Sequence, residues 1–366
     1  MVIKSYPSLI MDRSYSKKSG IKMLECHILT SLKDINALAN AWDELYARVG
    51  TDYFASYTPF KIWAETIAQN QSLSLHIIAG FREGKLKAVL PLVVSRKKGF
   101  RILFWAAYDA FLSEIALYED ENDLTTLWQF AAQNIDYDAA EIRYIRQGSV
   151  LENAIKTLPH ATILEEDFVT AIQFKGMDSE AWLQSLPKKI RAETRRKIKN
   201  LHRAGHVALN VYRKDIPQNL IERMVELKKD WCIDKGFTTP AFFHPFYIFK
   251  LIGSAAIKDE VRFFVLTLDD TPIGFSLGFL CQKTLYTAIV AHDPAYVNLS
   301  PGVLALAFPI QWCADQGLYC FSFMEGREGF KKDYGNERHV ILTYSFARTF
   351  RGHVARLLLN LRHTKI

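Results

Sequence analysis

No two cysteines in this 366-residue chain stand in a C-x-x-C spacing; the five present, Cys26, Cys232, Cys281, Cys313 and Cys320, are odd in number and scattered. That pattern argues against a disulfide framework or a zinc site and reads as reduced core thiols. Long apolar runs are missing as well. No segment approaches a bilayer span, and the opening MVIKSYPSLIMDRSYSKKSG holds no signal-peptide core, so a cytoplasmic location is expected. Acidic residues are nearly absent from two segments. Lys188 to Arg203 carries eight Lys or Arg against Glu193 alone, and Arg348, Arg351, Arg356, Arg362 and Lys365 follow Phe346 with no acid between them. The first segment accounts for a charge of +7, which is that of the whole chain, so the remainder is balanced.

What is present fits a large folded protein. At 49% hydrophobic and 23% charged residues the chain buries a sizeable core, and its length favours two domains. Residues 1–22 lack apolar periodicity and read as a disordered leader. Residues 32–45 place Leu32, Ile35, Leu38, Trp42 and Leu45 at helical spacing, and a second helix is expected from Pro59 to Gln69. Two β-rich runs then flank a REGK turn, and FRILFWAA follows as a third. The same order recurs later, with EVRFFVLTLDDTPIGFSLGFLC as a pair of runs around LDDTP and KTLYTAIVA as the third. The trios end in AAYDAF and AHDPAY, which puts Asp109 and Asp293 in matching places. Two copies of one α/β unit are the expectation.

In the second copy helices are expected at 179–204, 217–235, 242–257 and 301–316, then a strand YCFSFM, a strand HVILTYSFA and a basic C-terminal helix. Between the third strand and its helix lies the loop 292–300, the kind of strand-to-helix junction where open sheets bind ligands. Ser300 reads as an N-cap and Pro301 as the first helical residue. The amides of Gly302, Val303 and Leu304 at that helix end suit a phosphate group, and glycine leaves the backbone open to it. A plain helix start explains the same residues.

The run Y-x-x-x-x-x-H-D-P-A-Y-x-x-x-S-P-G-x-L, from Tyr286 to Leu304, is followed by F-x-x-G-x-x-x-F-K-x-x-Y-G, from Phe323 to Gly335. With the passage Lys188, Arg191, Arg195, Arg196, Lys197, Leu201 and Gly205, these motifs resemble the GNAT acyltransferase superfamily, in its CelD-like and FemAB-like branch of tandem GNAT-type domains. The resemblance covers about 25–345. It implies a mixed α/β (α+β) fold of two tandem GNAT-like domains, with largely antiparallel mixed sheets flanked by helices, at 23–165 and 166–345, and a basic amphipathic helix at 346–366. It also implies transfer of an acyl group from a thioester or an aminoacyl ester to an amine. The segment holding Asn298, Ser300, Gly302, Val303 and Leu304 stands where relatives cradle the coenzyme A pyrophosphate, although this chain has a single glycine there. Lys331 and Tyr334 match a Fem-type element whose lysine contacts substrate phosphate and the charged transition state.

An attacking amine gives up a proton, so a base is required. Glu325 and Asp293 are the carboxylates nearest the junction, with His292 a third possibility and an Asp-Pro turn the plain account of Asp293. On the basic helix Arg191, Arg195, Lys199 and Arg203 line one face opposite Ile190, Thr194, Ile198 and Leu201. A cationic stripe without acids suits an anionic partner such as a phosphate-bearing donor, a tRNA backbone or a lipid surface. Three functions fit: an acyl-CoA (acetyl-CoA) dependent N-acyltransferase, without a metal, acting on a glycan-precursor amine in envelope polysaccharide or peptidoglycan synthesis; a Fem-type aminoacyl-tRNA-dependent peptidyltransferase; and a non-catalytic binder of a phosphorylated sugar. The basic tail is a further candidate contact with a membrane surface.

Overall fold

The computed structural model describes residues 23–363 apart from 51, 70, 72, 109, 111–114, 159, 237–238, 245 and 327–328. The expected leader at 1–22 and Asp109 lie outside the described residues. Among the described residues, thirteen strands form one sheet. They are β1 Glu25–Leu29, β2 Ser74–Arg82, β3 Lys85–Lys97, β4 Phe100–Trp105, β5 Leu117–Tyr118, β6 Ala139–Arg146 and β7 Thr162–Gln173. Then come β8 Val207–Tyr212, β9 Val261–Leu268, β10 Thr271–Cys281, β11 Thr284–His292, β12 Cys320–Glu325 and β13 Glu337–Ala347. The order is β1-β2-β3-β4-β6-β13-β7-β12-β11-β10-β9-β8, with β5 on β3.

Each half of that order contains the same unit. Two-residue turns with positive φ at both positions, Glu83-Gly84 and Asp269-Asp270, close the hairpins β2–β3 and β9–β10, because such turns match the twist of the flanking strands. After the antiparallel strands a helix, Glu121–Asn134 or Pro301–Asp315, leads to a strand parallel to the one before it, β6 beside β4 or β12 beside β11. The two sheets expected from sequence are joined into one, because the last strands change places. Strand β7 pairs with β12 and β13 with β6, and β7 and β13 pair with each other over most of their length. The division at 165/166 falls inside β7.

Several expectations need correction. The helical segment at 179–204 is two helices, Ser179–Ser185 and Lys188–Ala204, because Pro187 interrupts it. The segment at 242–257 is likewise split into Pro240–Phe243 and Tyr247–Ile257. Strand β8 was invisible in a run, VALNVY, that is only half-buried on the sheet edge. The C-terminal helix begins at Phe350, since β13 occupies Phe346 and Ala347. Its basic residues are partly committed within the fold: Arg351 donates to the Gly99 carbonyl and Arg356 to the His160 carbonyl. No helix among the described residues is long and apolar enough to cross a membrane.

Candidate active site

Strands β11 and β12 are paired only at Thr284↔Cys320, Leu285↔Phe321 and Tyr286↔Ser322, and beyond those residues they diverge. A cavity of about 780 Å³ occupies the gap. Two irregularities shape its edges. The β10–β11 register shifts between Leu277↔Ile289 and Gly278↔Thr287, which leaves Ala288 as the extra residue of a bulge. The β12–β7 register shifts between Ser322 and Glu325, and Met324 there takes a φ of 58°. A left-handed non-glycine residue within a strand stores strain of the sort found at functional sites, and bulges re-aim the side chains beside them.

The two faces of the sheet both contribute. His292 lies against the helix Pro301–Asp315, as does its ladder partner Gly274, and Thr287 shares that face through its pairing with Gly278, whose added Cβ would meet Leu285. Ile289 and Ala291, with Leu277 and Phe279, face the opposite way, toward the helices Gln218–Asp234 and Tyr247–Ile257. Residues of both sets line the cavity, together with Phe54 from the first half of the chain. The cavity therefore passes through the sheet.

Glu325 stands at the end of β12 on the cavity wall. Burial raises its pKa from 4.5 to about 7, and the nearby charge of Asp167 pushes the same way. A hydrogen bond with Tyr144 and the charge of Arg143 pull it partly back. Tyr144 itself has a φ of 61° at a register shift of β6, so both residues beside this carboxyl that hold left-handed backbone sit on bulged strands. Lys331 is buried in the short helix Gly329–Tyr334 and lines the cavity, and its ammonium donates to the main-chain carbonyl of Glu325. It thus fixes the end of β12.

Asp293 is placed differently. It accepts from the Ala295 N–H at 2.9 Å as the cap of the short helix Pro294–Leu299, and from Arg223 at 2.9 Å. These two bonds, the backbone one first, hold its pKa below the usual carboxylate value, so it serves the turn and the ion pair and is a weak base. Burial likewise lowers the pKa of His292.

The helix start departs from the expected cap. Ser300 has φ 57° and ψ 45°, and its side chain makes no capping bond. Its N–H donates to the Val297 carbonyl, which makes it the C-cap of the preceding 3-10 helix. The N–H groups of both Val303 and Leu304 reach the Ser300 carbonyl at 3.2 Å, so of the three amides proposed for a phosphate, Gly302 carries that reading. A Cβ at Gly302 would sit 2.7 Å from Nδ1 of His292, so the glycine makes room for an imidazole. Ser300, Gly302 and Val303 line the cavity, whereas Leu304 is fully buried beneath the helix. Asn298 lies in the adjoining 3-10 helix and is not part of the lining.

Tyr334 is buried, edge-on to Trp182, and its hydroxyl lies 3.1 Å from Thr194 Oγ1. It docks the basic helix and stands away from the cavity lining. On that helix Arg191 donates to the Gln184 carbonyl, Arg195 pairs with Glu180 at 2.6 Å and Lys197 with Glu193 at 2.7 Å. The expected acid-free stripe is therefore partly neutralised by its neighbouring helix, while Lys199 is exposed. Sequence reasoning missed Thr287, Tyr144 and Phe54, which carry no motif and reach the site through pairing or packing.

Residues 188–332 match the family model of the acetyltransferase (GNAT) domain. The chain carries a GNAT acyltransferase domain. Beyond that domain, the chain has a FemAB-like fold over nearly its whole length. It resembles the crystal structure of FemX with a TM-score of 0.61 at 12% identity, over 92% of this chain and 100% of that one. L-PGS from Bacillus licheniformis gives 0.55 at 10% identity, over 89% and 97%. The C-terminal domain of a candidate lysylphosphatidylglycerol synthetase from Agrobacterium fabrum gives 0.55 at 13%, over 88% and 95%. At such identities the likeness is one of fold. No curated protein matches the chain.

Proposed function

We propose that this protein is a cytoplasmic N-acyltransferase that moves an acyl group directly from a thioester of the acyl-CoA type to an amine. The observation that carries the reading is a buried carboxyl, Glu325, with a pKa of about 7, at the gap where the cavity crosses the sheet. A base is most effective when its pKa lies near the working pH. The donor's phosphates lie against the helix end at Gly302, where amide and helix dipole favour an anion. Glu325 takes one proton from the arriving ammonium, which frees the lone pair; the amine nitrogen then attacks the thioester carbon, forming the C–N bond, and its second proton ends on the departing sulfur. The developing oxyanion is met by a main-chain N–H of the bulge at Ala288, where the ladder with β10 is interrupted. Collapse breaks the C–S bond and the thiol leaves. Asp167 and Glu165, whose charges already act on Glu325, favour an acceptor that arrives as a cation. An amine of an envelope polysaccharide or peptidoglycan precursor meets that description.

The direct test is thiol release from acetyl-CoA against a panel of amino sugars and amino-acid amines, comparing the native chain with Glu325→Gln, alongside thermal shift with coenzyme A. Absence of any shift at millimolar coenzyme A would sink the donor assignment. A second reading, aminoacyl transfer from tRNA, draws support from the full-length likeness to FemX and from the exposed Arg195, Arg196 and Lys199. It requires salt-sensitive retention of charged tRNA that weakens in Lys199→Ala.

A further inference from the structure

The cavity is far larger than an acetyl group needs. Its volume of about 780 Å³ lies in the range of sites for drug-sized ligands. Protein interiors carry few voids larger than a water, so a chamber of this size is built for an occupant. The part on the far side of the sheet from the helix Pro301–Asp315 has mostly apolar walls, Phe54, Ile248, Leu251, Leu277, Phe279 and Ile289, with Tyr247 and Thr239 as polar members. Charged lining groups stand at its ends. Glu325 and Lys331 are at the gap, and Lys228, half-buried with its ammonium over Trp231, and the exposed Asp230 and Asp234 are on the helix Gln218–Asp234.

We infer that this far chamber holds the hydrocarbon chain of a medium-length acyl group, with the acyl carbon at the gap between β11 and β12. The inference rests on the acyl-donor reading above and names the class of acyl group. Chemistry sorts the two substrates. An amine or sugar acceptor needs polar partners, which surround Glu325 as Tyr144, Arg143, Asp167 and Glu165, whereas the far chamber offers walls that suit methylenes. The length agrees, since β11 lines the cavity from Thr287 to His292, roughly 17 Å of strand. One polar group marks the head of the chain. Thr287, the first residue beyond the last β11–β12 pair, is 7% exposed, and its hydroxyl has no hydrogen-bond partner among the described residues. It faces the donor side, where a thioester or its amide arm supplies the missing bond.

The test is a binding series on the whole chain, using N-acetylcysteamine thioesters from acetyl to dodecanoyl and the matching acyl-CoAs, by calorimetry. Affinity is expected to rise about fourfold per methylene and then level off where the chamber ends. Equal affinity along the series overturns the inference. Leu251→Trp is expected to move the plateau to shorter chains, with Ile248→Trp as the second variant if the first does not fold. An unchanged plateau in a folded variant also overturns it. Thr287→Val is expected to lower affinity by a similar factor at every chain length, and no change along the series would remove the assigned head contact. The nucleotide-free thioesters separate the two readings. Their chain-length dependence without any binding of coenzyme A keeps the chamber and removes the donor assignment; coenzyme A binding with no chain-length effect does the reverse.

Discussion

The two halves of the sheet contain the same fork and use it in opposite ways. Counted from the last parallel pair, Leu103↔Ala140 in one half and Tyr286↔Ser322 in the other, Trp105 and Ala288 stand in the same place. Trp105 is 1% exposed, packs on Trp128, and donates its indole N–H to the Arg143 carbonyl at 2.8 Å, so it spans the first fork and plugs it. Ala288 spans nothing, and the second fork is open around a cavity. One side chain separates a packed core from an open cavity. The plugged fork still contributes, because Tyr144 on β6 reaches Glu325.

The sharpest way to break this comparison is Ala288→Trp, which transfers the plug to the second fork. Binding of acyl thioesters and turnover are expected to disappear together while circular dichroism keeps its native form; a folded Ala288→Trp chain that still turns over would show that the gap is not the site. Next in size is Glu325→Gln, expected to lower turnover by roughly 10²–10⁴-fold. In the native chain activity should climb as pH rises through about 7, when Glu325 loses its proton. Stability should move the other way. The folded chain keeps a proton that the unfolded chain gives up near 4.5, so stability falls between pH 4.5 and 7 by an amount of order 3 kcal/mol. Denaturant melts across that window should be flatter for Glu325→Gln, and parallel slopes would contradict the assignment.

Trp105→Ala probes the other fork. A loss of about 3–5 kcal/mol is expected from the cavity it leaves, read from urea melts, with ligand affinity at the second fork retained in the folded fraction. If affinity vanished with the fold intact, the first fork would be more than a plug. The smallest effect is Gly302→Ala, where the added carbon meets His292 and the cost is about 1–3 kcal/mol. Should His292→Ala restore stability to the double variant without restoring coenzyme A binding, glycine would be needed there for the ligand as well as for the imidazole.

Much of the fold was legible because its signals are local. Alternation in EVRFFVLTL and TPIGFSLGFLC, turn residues at LDDTP, and the Pro301 helix start each act within a few residues, and the repeat of that order revealed the two units. The exchange of β7 and β13 was not legible, since either unit's last strand satisfies the same apolar pattern and only assembly decides which neighbour it takes. Among the candidate residues, Glu325 stood out as a carboxylate close to the junction and Lys331 through its motif, and both line the cavity. Tyr334 shares the motif yet turns inward to Thr194. Arg195 read as free because its partner Glu180 lies on the preceding helix, across the break at Pro187.

The sequence by itself determined the elements, the repeat and the residue types available at each strand end, since these follow from spacing along one chain. Tertiary structure alone decided which fork stays open and which carboxylate has the character of a base. Asp293 and Glu325 are the same chemistry at matching ends of neighbouring strands. One receives an arginine and a backbone N–H and stays ionised, while the other is buried against Asp167, more than 150 residues away in sequence, and holds its proton to about pH 7. Solvation and distant charges set that difference, and neither is written in a motif.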